Sequence, residues 1–270
     1  MKLSEAIKRL VEAGIPNAKH DAMEIFSDLG GIDKARMIFS DVEIKDEIII
    51  SAIEDRASRR PLQYIIGKAY FYNEEYEVNE NCLIPRQDTE ILVDFAVKNL
   101  PSGARFLDLC TGSGCVGISA LKNTLGTNAV LVDISEAAIE LSRRNAERNG
   151  VIDRAEFVVT DALMNTVDGE YFAVLSNPPY VKDSVYGELD EEIFHEPKMA
   201  FLGGSDGCDF YRSFTARYKD RITAGGFIAY EIGYDQGESL RKIAEENLMT
   251  CEIIPDFSGN DRVAVLRKSN

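Results

Sequence analysis

Five consecutive residues, Ser176-Asn177-Pro178-Pro179-Tyr180, stand directly behind the apolar run Tyr171-Phe172-Ala173-Val174-Leu175. Proline lacks an N–H and holds φ at about −65°, so two in a row cannot extend a central strand. The chain must therefore leave its sheet at Asn177. That corner presents a side-chain amide oxygen, backbone carbonyls turned away from the ladder and an aromatic face. Such a group of acceptors suits a substrate that offers a planar NH2. The same residues also fit a plain strand-ending turn capped by an exposed tyrosine, so the rest of the chain has to decide.

A second constellation is Asp108-Leu109-Cys110-Thr111-Gly112-Ser113-Gly114, which follows the apolar strand residues from Arg105. Gly112, Gly114 and Gly117 match G-x-G-x-x-G, and Asp133 closes the next predicted strand, placed to accept hydrogen bonds from a ribose diol. A nucleoside-containing cofactor follows from both. The glycine pattern alone fits NAD. Asp108 weighs toward S-adenosylmethionine, because a carboxylate beside the turn repels a pyrophosphate and attracts a cationic sulfonium or ammonium. No Arg or Lys between Asp108 and Gly117 is available to clamp a phosphate.

The elements that must position these groups follow from periodicity. The N-terminal part reads as helices, with Leu3, Ile7, Leu10 and Val11 at helical spacing, then His20 to Leu29, then Asp46 to Arg59 closed by Pro61. Tyr70-Phe71-Tyr72 and Tyr76-Glu77-Val78 read as a hairpin. Thr89 to Leu100 resembles a helix. Beyond it strands and helices alternate, the pattern of a parallel α/β sheet: Arg105–Leu109, Ala129–Asp133, Glu156–Val159, the strand entering Asn177, and Phe227–Ile232 behind Gly225-Gly226. Helices are expected over Glu136 to Asn149 and Gln236 to Asn247, with a closing hairpin from Cys251 to Ile254 and Val263 to Leu266. In such a sheet ligands sit at the carboxyl ends of the strands, near the reversal of strand order. The glycine turn, Asp133, Asp161-Ala162 and Asn177 all fall at such ends and are expected to line one crevice.

Composition narrows the class. The chain has 270 residues, 45% of them hydrophobic and 28% charged, and no apolar run approaches the roughly 20 residues needed to cross a bilayer. The early Glu5 and the lack of an apolar h-region argue against a signal peptide, so a cytoplasmic location is expected. Five cysteines without C-x-x-C spacing and only two histidines, His20 and His195, argue against a disulfide framework or a zinc site. The net charge of −16 disfavours a reader of nucleic acid phosphates.

Taken together, these segments resemble the protein-(glutamine-N5) methyltransferases that act on peptide chain release factors. The resemblance rests on Leu83-Ile84-Pro85-Arg86-Gln87-Asp88-Thr89-Glu90, Asp108 to Gly114, Asn177 to Tyr180, His195-Glu196-Pro197, Gly203-Gly204-Ser205-Asp206-Gly207 and Asn260-Asp261-Arg262-Val263. It implies a Rossmann-like methyltransferase domain over residues 76–270, a helical substrate-recognition domain over 1–75 and a hairpin linker. It also implies S-adenosylmethionine as donor, with S-adenosylhomocysteine as product, and the glutamine of a Gly-Gly-Gln motif in class 1 release factors as acceptor. Asn-Pro-Pro-Tyr is shared with adenine-N6 and guanine-N2 nucleic acid methyltransferases, which makes them the main rival. An NAD-dependent oxidoreductase and a non-catalytic binding module are further alternatives.

By this resemblance Asp108, Cys110, Thr111, Gly112, Ser113 and Gly114 cradle the donor, with Asp133, Asp161 and Ala162 beside it. Asn177, Pro178, Pro179 and Tyr180 hold the glutamine. The Asn177 side-chain oxygen and the Pro178 carbonyl are expected to accept the two amide hydrogens, with Tyr180 packed on the amide plane. Two departures stand out: many relatives have glycine at Cys110 and an aromatic at Ala162, so another side chain must pack on the adenine. Arg86 is expected to anchor its segment by a salt bridge, with reach into the active site as the alternative. His195 reads as structural, Glu231 as a solvated strand-end carboxylate, and Glu188, Asp190, Glu191 and Glu192 as an exposed acidic face.

Overall fold

The computed structural model describes residues 1–269. The chain divides into two compact units, one of Met1–Lys68 with Val78–Glu80 and Asp190–His195, the other of Ala69–Glu77, Asn81–Leu189 and the chain from Glu196 onward.

The first unit is helical: α1 (Leu3–Glu12), α2 (Ala18–Asp28), α3 (Lys34–Phe39), α4 (Glu47–Ala57) and α5 (Leu62–Ile66). Leu3, Ala6 and Leu10 of α1 meet Ile25 and Phe26 of α2 and Ile53 of α4 in one apolar core. Asp46 caps α4 by accepting the Ile48 N–H at 2.9 Å. Pro61, expected only to close α4, instead caps the start of α5, where its missing N–H costs no helical bond. Buried Arg56 pairs with Asp21 at 2.8 Å and with Glu192 at 2.7 Å, and Arg59 lies 3.7 Å from Glu191. Glu188, Asp190 and Glu191 are exposed as expected, while half-buried Glu192 is ion-paired within this unit.

The second unit begins with the hairpin β1 (Lys68–Phe71) and β2 (Glu74–Glu77), whose two-residue loop has both Tyr72 and Asn73 at positive φ, 50° and 65°. Helix α6 (Glu90–Asn99) follows. The alternation then runs β3 (Arg105–Leu109), α7 (Cys115–Lys122), β4 (Asn128–Asp133), α8 (Glu136–Arg148), β5 (Ala155–Val159), β6 (Tyr171–Ser176), α9 (Asp209–Tyr218), β7 (Ile222–Glu231), α10 (Gly237–Glu246), β8 (Met249–Pro255) and β9 (Asp261–Lys268). The seven-stranded sheet has the order β5-β4-β3-β6-β7-β9-β8. Its first five strands are parallel, and β9 and β8 add an antiparallel edge.

The pleat sends alternate side chains to opposite faces. Phe106, Leu131, Ala173 and Phe227 thus join one apolar cluster, and Leu107, Val130, Val174 and Ile228 join the other. Strand order reverses between β3 and β6: the chain builds outward through β4 and β5, then returns to lay β6 beside β3. The carboxyl ends of β3 and β6 consequently flank an open crevice, because the connections leaving them diverge. Among the described residues no helix is long and apolar enough to cross a membrane.

Candidate active site

A cavity of about 560 Å³ opens at those strand ends, within the usual range for a small-molecule site. Of the residues expected there, Cys110, Thr111, Gly112, Ser113, Asp133, Asp161, Ala162, Asn177 and Pro179 all line it. Asp108, Gly114, Pro178 and Tyr180 do not.

The turn after β3 is shaped from beneath by Asp108. This carboxylate is 1% exposed, and its Oδ2 accepts the Thr111 hydroxyl at 2.6 Å and the Gly117 N–H at 3.0 Å. A Cβ at residue 117 would stand 2.8 Å from that same oxygen, so only glycine lets α7 start so close to β3. Asp108 therefore braces the turn from beneath and lies outside the cavity lining. Burial pushes its pKa up to about 7 against the two hydrogen bonds that favour its charge. Cys110 sits at φ 58°, in the left-handed region that favours glycine. Gly114, at φ 83°, is the residue that caps α7. Asn145, fully buried on α8, donates to the Ser113 carbonyl at 2.9 Å and exchanges hydrogen bonds with Glu77 of β2. The hairpin is thereby stitched to the glycine turn.

Asp133 projects from the end of β4. Its Oδ2 accepts the Gly112 N–H at 2.9 Å and its Oδ1 the Ser135 N–H at 3.0 Å. Each oxygen retains lone-pair capacity for a ligand hydroxyl. Burial raises its pKa, opposed by backbone hydrogen bonds from Ser135, Gly112 and Ile134. Asp161, Asp183 and Asp209 share the lining, with Arg86 as the cation there, so the cavity is electronegative. Apolar surface comes from Ile134, Leu163, Phe210 and Phe214, none of which the sequence reading singled out. Phe210 and Phe214 meet edge to face at 5.6 Å, and their i, i+4 spacing on α9 was the available signal.

At the end of β6, Ser176 donates to the Leu109 carbonyl at 2.6 Å and pins the Asn177 corner to β3. Asn177 Nδ2 donates to Thr89 Oγ1 at 3.1 Å, and Thr89 in turn donates to Glu231 Oε2. The Tyr180 hydroxyl donates to Glu231 Oε1 at 3.2 Å. The Tyr180 hydroxyl thus ties the corner to Glu231. Glu231 is 2% exposed, which corrects the expectation of a solvated strand-end carboxylate. Its pKa is raised by burial, opposed first by the Thr89 hydrogen bond. Gln236 Nε2 donates to the Tyr180 and Gly207 carbonyls, each at 3.1 Å. A Cβ on Gly207 would stand 2.3 Å from the Tyr180 carbonyl, so backbone packs directly on backbone there. Arg86 pairs with buried Glu196, which also accepts the Ile84 N–H at 2.9 Å, and the segment ahead of Thr89 is anchored in the expected way. His195 contributes nothing to the cavity.

Comparison with known proteins agrees with this geometry. The PrmC N-terminal domain family matches residues 2–67 and the Methyltransferase small domain family residues 87–203. The release factor glutamine methyltransferase of Thermodesulfovibrio yellowstonii is 37% identical over 279 aligned residues, spanning 100% of this chain and 99% of that protein. The protein of the same description from Geobacter sulfurreducens is 33% identical, spanning 94% of this chain and 91% of its own length. Among solved structures, a ribosomal protein L11 methylase from Lactobacillus delbrueckii subsp. bulgaricus superposes with a TM-score of 0.52 at 16% identity, covering 74% of this chain and 92% of that one. That likeness concerns the fold, a methyltransferase α/β sheet.

Proposed function

The chain belongs to the release factor glutamine methyltransferase family, and from that premise we propose that it methylates the side-chain nitrogen of the Gly-Gly-Gln glutamine in class 1 peptide chain release factors, using S-adenosylmethionine. The observation that carries this reading is the sharing of one cavity by Asn177 and by the Cys110–Ser113 turn with Asp133. Acceptor and donor chemistry meet there across the β3–β6 switch.

The residues present fit S-adenosylmethionine. The cavity is large enough, acidic side chains suit a ligand with sulfonium and ammonium charges, and Asp133 keeps acceptor capacity for a ribose diol. When bound, the cofactor supplies an electrophilic methyl group. Thr111 to Ser113 would hold the methionine portion, and Ile134, Leu163 and Phe210 would offer apolar surface to the adenine. Asp108 and Gly114 act one step back, by holding the turn.

An amide nitrogen is a weak nucleophile because its lone pair is delocalised into the carbonyl. Asn177 Oδ1 accepts one hydrogen of the substrate NH2, and the backbone carbonyl of Pro178, whose residue lies just outside the lining between Asn177 and Pro179, accepts the other. No backbone N–H among the described residues donates to that carbonyl. The two acceptors orient the nitrogen for in-line attack, so positioning supplies much of the rate. They also stabilise the positive charge that grows on nitrogen as the new bond forms. No histidine or cysteine base is needed, since the proton leaves to water after transfer. Residues 1–75 are assigned to recognition of the release factor and 76–270 to catalysis.

The direct test is incubation of a release factor with the enzyme and S-adenosylmethionine, followed by peptide mass spectrometry. A single added methyl on the Gly-Gly-Gln glutamine is expected. An unmodified glutamine alongside methylated RNA or DNA in a parallel incubation would transfer the reading to the nucleic acid class.

A further inference from the structure

The reading above needs Asn177 to present its oxygen, not its NH2, to the substrate. A carboxamide can be turned either way, so something must decide. The hydrogen-bond chain behind Asn177 does. Thr89 has one hydroxyl hydrogen, and that hydrogen is committed to Glu231 Oε2. Its oxygen is then available to Asn177 only as an acceptor, and Asn177 Nδ2 donates to it at 3.1 Å. The other carboxylate oxygen takes the Tyr180 hydroxyl at 3.2 Å.

We propose that the ionised carboxylate of Glu231 sets the orientation of the Asn177 carboxamide through Thr89, making Glu231 and Thr89 positioning residues for the acceptor amide. A protonated Glu231 donates to Thr89, frees the Thr89 hydrogen for Asn177 Oδ1 and turns the carboxamide around. Asn177 then offers N–H to a substrate that also offers N–H, and the site loses its complementarity. Glu231 sits among groups from every element packed on it. Thr89 and Asp88 precede α6, Tyr180 belongs to the corner, Tyr211 of α9 donates to the Glu231 backbone carbonyl at 3.0 Å, and Arg262 and Cys115 lie on β9 and α7. Arg262 and the two hydroxyls favour the charged form, while burial and Asp88 oppose it. The switch between the two orientations accordingly lies above the ordinary glutamate range.

This inference rests on the proposed acceptor chemistry, and its test separates the two. Turnover on a release factor is followed against pH for wild type, Thr89→Val, Thr89→Ser and Glu231→Gln, with donor affinity by calorimetry and folding by melting temperature. Thr89→Val should lower kcat about tenfold or more at unchanged donor affinity, whereas Thr89→Ser, which keeps the hydroxyl, stays within about twofold of wild type. The acid limb of kcat in wild type should vanish in Glu231→Gln. Independently of turnover, the Asn177 side-chain amide resonances of the free protein, assigned by their loss in Asn177→Ala, should move with pH in wild type and stay fixed in Glu231→Gln. Wild-type kcat in a folded Thr89→Val, or an unchanged pH response of those resonances in Glu231→Gln, overturns the relay. A wild-type enzyme that leaves the glutamine unmodified overturns the functional reading and leaves the resonance experiment to judge the relay by itself.

Discussion

The two halves of the site are built on opposite plans. At the donor turn the bracing contacts are comparatively short-range: Asp108 holds Thr111 three residues on and Gly117 nine residues on, Asp133 reaches back 21 residues to Gly112, and Asn145 holds Ser113 from 32 residues away. At the acceptor corner they are long-range: Asn177 lies 88 residues from Thr89, Thr89 lies 142 from Glu231, and Gln236 lies 56 from Tyr180. One half is a local backbone device that any strand-turn-helix can carry. The other is a joint between segments that meet only when the sheet is complete. The difference teaches that donor binding and acceptor geometry should be separable by mutation.

The sharpest break is Asn177→Ala. Removing the oxygen that orients the substrate amide should lower methylation by about 10³-fold, comparable to loss of one oxyanion-hole donor, while donor affinity measured by calorimetry stays close to wild type. Near-normal turnover would show that the corner does no chemistry and would collapse the comparison.

Next in size is Gly207→Ala. Its Cβ would stand 2.3 Å from the Tyr180 carbonyl and 2.7 Å from Gln236 Nε2, at a φ of 77°. A cost of about 2–3 kcal/mol in stability is expected, with a larger loss in turnover than in donor affinity. Equal losses in both would mean that the corner and the turn move as one body.

The smallest effect belongs to the donor side and is a matter of sign. The folded Asp108 holds its proton up to about pH 7, above the value of about 3.9 for an unfolded aspartate. Folding then binds protons, so this residue's contribution is greatest below the unfolded pKa and declines as pH rises toward 7. Asp108→Asn keeps an acceptor for Thr111 and Gly117 without the titration. The variant should gain on wild type in urea midpoint as pH climbs through that window, with donor affinity little changed. Parallel stability profiles would remove the titration from Asp108. A proton therefore changes stability at the turn and turnover at the corner.

How much could be read beforehand follows the same division. The strands β3, β4 and β6 and the glycine turn declare themselves by period and by glycine spacing, because their geometry is set by neighbours in sequence. Asn177 was visible because Pro178 and Pro179 force the chain out of the sheet. Thr89 and Glu231 were not visible as a pair, since nothing within a few residues of either encodes the other. The helix α9 also escaped, although Tyr211, Phe214, Thr215 and Tyr218 carry its buried stripe. Its aromatic and β-branched residues have weak helical preference, and packing on the sheet overrides that. Strand β7 starts earlier than expected, at Ile222, and takes Gly225 and Gly226 into the strand. A Cβ on Gly226 would stand 2.2 Å from the Phe172 carbonyl, so Gly226 serves close approach to β6, whereas Gly225 faces open space at a φ of 78°.

The distance along the chain between Thr89 and Glu231 also sets an order of events during synthesis. A nascent chain that has emerged as far as β6 already contains Asp108, Thr111, Gly117, Asp133 and Asn145, the groups that brace the donor turn. Asn177 is present by then, yet the carboxylate that aligns it lies at the end of β7, still to be translated. The corner is therefore complete only with β7 beside β6, and a chain that stops short of residue 231 lacks the carboxylate that holds Thr89.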